Sequence, residues 1–189
     1  RYKLLNPHIP VYAVIGDICA SGGYYIAVAA DKIFVDKASI VGSIGVLMNG
    51  FGFDKAIQNL GIERRLIISG ENKAILDPFL PVQPKQKEFM QELLREVHNQ
   101  FIDVVKKGRG NKLSPNPEIF SGLFWSGESA INLGLADGYG DIDLVAREVV
   151  GHEKIIDFTN QSNFADRFAK KLGASIGSSF RNDILNNNL

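Results

Sequence analysis

The sequence predicts a layered α/β fold, and three observations support this prediction. A β-branched run at residues 11–17, a helical pattern that starts near Ser21 and a second short run at 32–36 follow one another through tight turns. A long amphipathic helix is predicted at 84–110, where apolar residues recur on one face and basic residues and glycines end the pattern. Strand, turn, helix and strand in this order are typical of layered α/β proteins.

The remaining predicted elements are shorter. The glycine-rich apolar segment 39–53 predicts strand fragments bent by close backbone approaches, and the helix that follows it ends at Gly61. Periodicity then predicts a strand at 62–69, helices at 126–137 and 141–150, and a late strand at 154–158. We therefore predict a domain at 1–158 and a C-terminal helical tail at 159–189.

The predicted tail allows two interpretations. Its apolar residues recur every four positions, a spacing that drifts by about 40° per step around a helix and leaves no clean stripe. The tail is either a peripheral helix or a docking surface for a partner subunit or a membrane. The recurring residues are Phe164, Phe168, Leu172, Ile176, Phe180 and Ile184.

The composition excludes several classes of protein. With 21 basic and 21 acidic residues among 189, the net charge is zero, so the chain lacks the net positive charge typical of proteins that bind nucleic acid. No apolar run reaches the roughly 18 to 20 residues that span a bilayer. The single cysteine, Cys19, excludes an internal disulfide, and the scattered histidines show no metal-ligand spacing.

The chain starts at Arg1 and enters a predicted core strand by Val11. This is an unusual start for a natural domain, so we expect an upstream part of the protein, in which a signal or anchor segment would lie.

Ser21, in "DICASGGYYIAVAADKIF" (17–34), has two interpretations that predict the same local structure. It either caps the helix that follows or serves as a nucleophile on a strand-to-helix turn.

A serine nucleophile needs a base, and none of the histidines at positions 8, 98 and 152 has the setting typical of a catalytic triad. An ordinary lysine is almost fully protonated at pH 7, so a lysine base must lie in a partly apolar setting. Lys73, before an Ala-Ile-Leu run, fits this better than the lysines of the long helix, although most lone lysines are surface charges.

Three ordered segments, "ASGGYYIAVAADKI" (20–33), "VGSIGV" (41–46) and "SGENKAILDP" (69–78), resemble the signal peptide peptidase A family of membrane-associated serine peptidases. Two later segments, "FIDVVKKGRG" (101–110) and "WSGESAINLGLADGYGD" (125–141), resemble it as well. The resemblance covers roughly residues 9–150.

This resemblance implies a Clp protease/crotonase-like spiral of ββα units, with layered sheets flanked by helices. It also implies a Ser/Lys dyad in which Ser21 is the nucleophile, Lys73 the general base and Ser43 the residue that orients the lysine amine. The amide of Gly22 would donate to the oxyanion, a second oxyanion donor would lie upstream of this chain, and no cofactor or metal is implied.

The resemblance further implies dome-shaped homo-oligomers, octamer-like, in which the serine of one chain meets the lysine of its neighbour. Ser21 and Lys73 therefore need not approach each other within one chain. The expected location is membrane-associated, with the catalytic domain outside the cytoplasm and the anchor upstream.

From these observations we predict a serine endopeptidase that cleaves remnant signal peptides or other unstructured hydrophobic peptides at the membrane. The alternatives are a non-catalytic scaffold of the same fold, a phage-type capsid-maturation protease and, more remotely, a crotonase-type acyl-thioester enzyme that would bind coenzyme A.

Overall fold

The computed structural model describes residues 5–159. The chain divides into two compact units, Arg1–Glu153 and Lys154–Leu189. The predicted tail lies outside the described residues except for Thr159, so its helix stays a prediction. In the described part of the second unit, residues 154–159 have no regular secondary structure, and the strand predicted at 154–158 is wrong. Ile155, Ile156 and Phe158 are exposed there, with no strand partner among the described residues to complete a ladder.

The first unit alternates short strands and helices along the chain. Its elements are β1 (Tyr12–Ile15), β2 (Ile18–Ala20), α1 (Gly22–Ala27), β3 (Lys32–Val35), β4 (Ile40–Gly42), α2 (Asp54–Asn59), α3 (Pro84–Arg109), β5 (Phe124–Ser126), α4 (Gly127–Asn132), β6 (Gly138–Tyr139) and α5 (Ile142–Leu144). Short 3₁₀ turns occupy Gly110–Lys112 and Pro117–Phe120, and α5 continues into a π-helical segment, Val145–Val150.

The strands form two three-stranded sheets, and the chain crosses between them four times along the described residues. The first sheet has the order β1-β3-β6 with every pair parallel, and the second has the order β2-β4-β5 with β2 and β4 parallel and β5 antiparallel. Only Gly16 and Asp17 separate β1 from β2, and residues 36–39 separate β3 from β4. Of each two consecutive strands in the chain (β1 and β2, β3 and β4, β5 and β6), one lies in each sheet. This confirms the predicted layered α/β arrangement.

One hydrophobic core joins the two sheets to α1, α3 and α4. Ile33 and Val35 of β3 and Val41 of β4 are fully buried, which explains their β-branched character because parallel strands are covered on both faces. Tyr24 and Val28, in and just after α1, pack into the same core as Phe101 and Val105 of α3 and Ala130 of α4. The helix that follows Ser21 is therefore held against both a sheet and the longest helix.

Most predicted elements are confirmed, and one further strand is wrong. Residues 62–69 are not a strand but an exposed segment, with no partner strand among residues 5–159. A β-prone sequence needs a neighbouring strand for its ladder hydrogen bonds, and periodicity alone cannot supply one. The two- and three-residue strands β2, β5 and β6 were not predicted, because such short pieces are defined by their pairing rather than by a pattern of their own.

Candidate functional site

Ser21 occupies a strained turn between β2 and α1. Its φ of 51° lies in the left-handed region, which is unfavourable for a residue with a Cβ. The Ser21 N–H donates to the Gly42 carbonyl at 2.8 Å, and the Ser21 carbonyl accepts from the Tyr25 N–H at 2.9 Å. Although Ser21 stands at the N-cap position of α1, its hydroxyl makes no capping hydrogen bond. The backbone of this exposed serine is therefore held by two hydrogen bonds, while its hydroxyl does not cap the helix.

Ser43 stands beside Ser21 because of strand pairing. Ala20 and Gly42 are register partners at the ends of the parallel strands β2 and β4, so the residue that follows each strand emerges at the same edge of the sheet. Ser43 also has a left-handed backbone, with φ 52°. Its N–H donates to the Leu123 carbonyl at 2.8 Å, and its carbonyl accepts from the Gly45 N–H at 2.9 Å.

A cavity of about 610 Å³ opens at this edge. Ser21, Gly22 and Ser43 line it on one side, and its apolar walls include Tyr25, Val46 and Phe101. Phe101 belongs to α3, and its ring lies 5.2 Å from that of Tyr25. The site thus places two hydroxyls in a largely apolar cleft, a setting that suits an extended hydrophobic ligand.

Gly22 provides the first N–H of α1. The first N–H groups of a helix have no partner within that helix, so this one is available to an external acceptor. The structure therefore brings three of the four predicted site residues, Ser21, Gly22 and Ser43, to one cavity.

Lys73 is not among the residues that line this cavity. It lies exposed in a run of turns at 71–76, where its N–H donates to the Gly70 carbonyl at 3.0 Å. The following residues, Ala74, Ile75 and Leu76, are partly buried. Lys73 itself is exposed, so a partly apolar setting for its amine stays a prediction, and the amine and the Ser21 hydroxyl are not brought together in one cavity of this chain.

The histidines do not provide a base within this cavity either. His8 and His152 are exposed, and His98 directs Nε2 at the Ile44 carbonyl, 3.0 Å away. None of the three lines the Ser21 cavity.

A buried polar network behind α1 was not predicted. The Tyr24 hydroxyl donates to the Leu135 carbonyl at 2.8 Å, and Nε of Arg109 donates to the adjacent Gly134 carbonyl at 2.7 Å. Tyr24 is fully buried and Arg109 is 3% exposed. Burial raises the pKa of Tyr24 well above its ordinary value, so the hydroxyl stays a neutral donor. The network anchors the helix that begins next to Ser21.

Asp137 is the charge partner in this network. Its carboxylate accepts from Nη1 of Arg109 at 2.7 Å, from Nζ of Lys112 at 2.6 Å and from the Ile33 N–H at 2.8 Å. Partial burial raises the pKa of Asp137, but these hydrogen bonds outweigh it and set the pKa at about 2. Nothing in the sequence distinguishes Arg109 as the partner of Asp137, because lysines and arginines are common at the C-terminal ends of helices.

These observations define an α/β protein with an exposed serine at a sheet edge. Comparison with known proteins then identifies the family. The sequence model of Peptidase family S49 matches residues 3–155, so the chain belongs to that family, and the predicted relation to signal peptide peptidase A is confirmed.

Individual relatives match between 71% and 75% of the chain. It is 48% identical over 141 residues to the Na(+)/H(+) antiporter NhaA of Brucella abortus, a match that covers 75% of this chain and 19% of that protein. It is 30% identical to the chloroplastic serine protease SPPA of Arabidopsis thaliana (74% of this chain, 21% of that one) and 29% identical to protease 4 of Haemophilus influenzae (71% and 22%). The chain spans about a fifth of the length of these three relatives.

No helix in the described range 5–159 has the length and apolarity needed to cross a membrane.

Proposed function

We propose that this chain forms the catalytic part of a serine endopeptidase in which Ser21 is the nucleophile. The observation that carries this proposal is the strained, exposed Ser21, whose hydroxyl makes no capping bond and which shares an apolar cavity with Ser43. Strain of this kind persists only where the surroundings hold it, and it is concentrated at functional sites. The family match and the protease names of two relatives support the same reaction class.

The proposed reaction uses a Ser/Lys dyad. The neutral amine of Lys73 takes the Ser21 proton as Oγ attacks the carbonyl carbon of the scissile peptide, and it then protonates the leaving amine. The Gly22 N–H stabilises the oxyanion of the tetrahedral intermediate, and the Ser43 hydroxyl accepts from the lysine amine and orients it. Water, deprotonated by the same amine, then attacks the acyl carbon, the bond from that carbon to Oγ breaks, and the lysine ammonium returns the proton to Oγ of Ser21.

We further propose that Lys73 acts on the Ser21 of a neighbouring chain. Two observations support this: Lys73 is exposed and absent from the Ser21 cavity, and large apolar side chains are exposed on segment 47–67 of the same chain, among them Leu47, Phe51 and Ile67. The exposed rings of Phe51, Phe53 and Phe79 form a contiguous patch, with centroids 6.3 and 5.8 Å apart, and such a patch is typical of a protein interface. Burial of a lysine in such an interface favours the neutral amine that a general base requires. The assembly would be an octamer-like homo-oligomeric dome.

The proposed substrates are remnant signal peptides or other unstructured hydrophobic peptides at a membrane. The apolar walls of the cavity, which include Tyr25, Val46, Leu47 and Phe101, support a hydrophobic peptide. In this proposal the protein is membrane-associated, with its catalytic domain outside the cytoplasm and its anchor upstream of the chain described here.

A fluorophosphonate probe on the full-length protein tests the nucleophile. We expect the probe to label wild type and Ser69→Ala but not Ser21→Ala, and we expect Ser21→Ala and Lys73→Ala each to lower hydrolysis of a hydrophobic reporter peptide by about 10³-fold or more. Lys85→Ala is the matched lysine control and should retain activity. An unlabelled wild type would favour the non-catalytic scaffold.

Subunit mixing tests the shared dyad. Reassembly of Ser21→Ala subunits with Lys73→Ala subunits should restore part of the activity, because some sites then combine an intact serine with an intact lysine. Proven exchange of subunits without any recovery would place the dyad within one chain.

A further inference from the structure

His98 makes a hydrogen bond that the proposed chemistry does not use. Its Nε2 lies 3.0 Å from the carbonyl oxygen of Ile44, and the imidazole is partly buried on α3. A carbonyl oxygen can only accept, so Nε2 carries the proton and donates it. The bond therefore ties the longest helix to the residue that follows Ser43.

The segment that receives this bond is strained. Gly42 and Ser43 both have positive φ, at 110° and 52°, and a Cβ at Gly42 would lie 2.9 Å from Cδ1 of Trp125. Such a conformation persists only where several contacts hold it. The Gly42 carbonyl is held by the Ser21 N–H, the Ser43 N–H by the Leu123 carbonyl, and the Ile44 carbonyl by His98.

The same segment lines two cavities. Val46 lines both the Ser21 cavity and a second cavity of about 380 Å³, which His98 also lines. Gly45 and Leu47, which flank Val46, line the Ser21 cavity. His98 therefore bonds to the segment that lines the candidate site, and it lines the second cavity rather than the Ser21 cavity.

We propose that His98 is a positioning residue that holds residues 43–47 as the wall against which a peptide substrate binds. This inference rests on the proposed function, since it assigns the wall to a peptidase site. His98 touches no reacting atom and acts through the Ile44 carbonyl. Loss of the His98 bond makes the bonds from the Ser43 N–H to Leu123 and from the Gly45 N–H to Ser43 open more often, but these bonds re-form and return the Ser43 hydroxyl to its place.

Two amide substitutions at His98 distinguish loss of its hydrogen bond from a general effect of substitution on folding. In His98→Gln the side-chain nitrogen reaches the position of the lost Nε2, whereas in His98→Asn it stands at the position of Nδ1 and falls short of the carbonyl. Both variants are polar and uncharged, and they differ by one methylene. Asn99→Gln makes the same one-methylene change at the exposed neighbouring residue and serves as the matched control.

Hydrogen exchange in the full-length protein is the first measurement. In His98→Asn we expect the amides of Ser43 and Gly45 to exchange about tenfold faster than in wild type, while His98→Gln and Asn99→Gln stay close to wild type. Equal exchange at these amides in His98→Asn and wild type would overturn the proposal, as would equally fast exchange in the Gln and Asn variants.

Kinetics with a hydrophobic reporter peptide is the second measurement. His98→Asn should raise KM about fivefold to tenfold and change kcat by less than about threefold, with recovery in His98→Gln. If wild type cleaves the peptide and His98→Asn has an unchanged KM, His98 is not a positioning residue. The proposed function then still stands. A wild type that neither cleaves the peptide nor binds the probe would refute the proposed function, while the exchange measurement would still decide the role of His98.

Discussion

The backbone N–H of Ser21 donates to the carbonyl of Gly42 across 2.8 Å, and this bond joins the turn that carries one serine to the residue that precedes the other. It continues the pairing of β2 with β4 by one step beyond their last register pair. Because both turns have left-handed backbones, the two serines are placed together by main-chain geometry rather than by contact between their side chains.

Replacement of Ser21 by glycine should separate stability from activity. Glycine adopts the φ of 51° without the penalty that a Cβ brings, so we expect Ser21→Gly to raise the free energy of unfolding by about 1 kcal/mol. Activity should fall by about 10³-fold or more, because the nucleophile is gone. Urea denaturation and reporter hydrolysis measure the two effects.

The matched control for this change is Ser114→Gly, at a serine outside the left-handed region. It should not stabilise the protein, because glycine there only adds freedom to the unfolded chain. A Ser21→Gly variant less stable than wild type would contradict the assignment of strain to this turn.

Removal of the Tyr24 hydroxyl should destabilise the protein. Tyr24→Phe leaves the Leu135 carbonyl without its donor in the core, at an expected loss of about 1–3 kcal/mol in the free energy of unfolding. Tyr25→Phe is the matched control, since Tyr25 is 43% exposed, and it should change stability by less than about 0.5 kcal/mol. Equal stabilities for the two variants in chemical denaturation would show that the buried hydroxyl is not a structural anchor.

Asp137 should make stability depend on pH in the acid range. Its folded pKa of about 2 lies below the ordinary pKa of 3.8 for an aspartate, so the folded state favours the charged form. The resulting stabilisation is fully present above about pH 4, is lost as the pH falls through about 2, and amounts to about 2 kcal/mol at most.

Denaturation between pH 5 and pH 2 measures this effect. In Asp137→Asn the free energy of unfolding should decrease less as the pH falls, because the carboxylate is gone. The variant should also be destabilised at pH 7, where Arg109 is left as a buried charge without its partner. Glu128→Gln, at an exposed pair with Lys37, is the control and should follow wild type. An Asp137→Asn variant with the acid sensitivity of wild type would exclude this carboxylate as the source.

Gly108 should tolerate no side chain. It lies in α3, and a Cβ there would collide with the carbonyl oxygen of Val28, at the end of α1. We expect Gly108→Ala to lower the free energy of unfolding by about 1–3 kcal/mol despite the better helix propensity of alanine. Asn99→Ala, at an exposed position of the same helix, should be neutral or slightly stabilising, and thermal melts compare the two. A Gly108→Ala variant as stable as wild type would mean that α1 and α3 can separate without loss.

Local patterns predicted those elements that depend on their own residues. The apolar stripe of α3, the strands β1 and β3 and the serine-capped start of α4 follow from residue spacing and capping chemistry within a few turns of chain. The strands predicted at 62–69 and 154–158 failed because a strand exists only through a partner. The network of Tyr24, Arg109 and Asp137 escaped prediction because its members lie up to 113 positions apart in the sequence.

The sequence by itself determined the α/β class, the family and the identity of the candidate residues Ser21, Gly22, Ser43 and Lys73, because these depend on residue types in order along the chain. Only the tertiary structure decided which of them meet. The parallel register of β2 and β4 brings Ser21 and Ser43 to one cavity, while Lys73 stays exposed outside it. Proximity depends on pairing and packing between distant segments, and no local pattern encodes that.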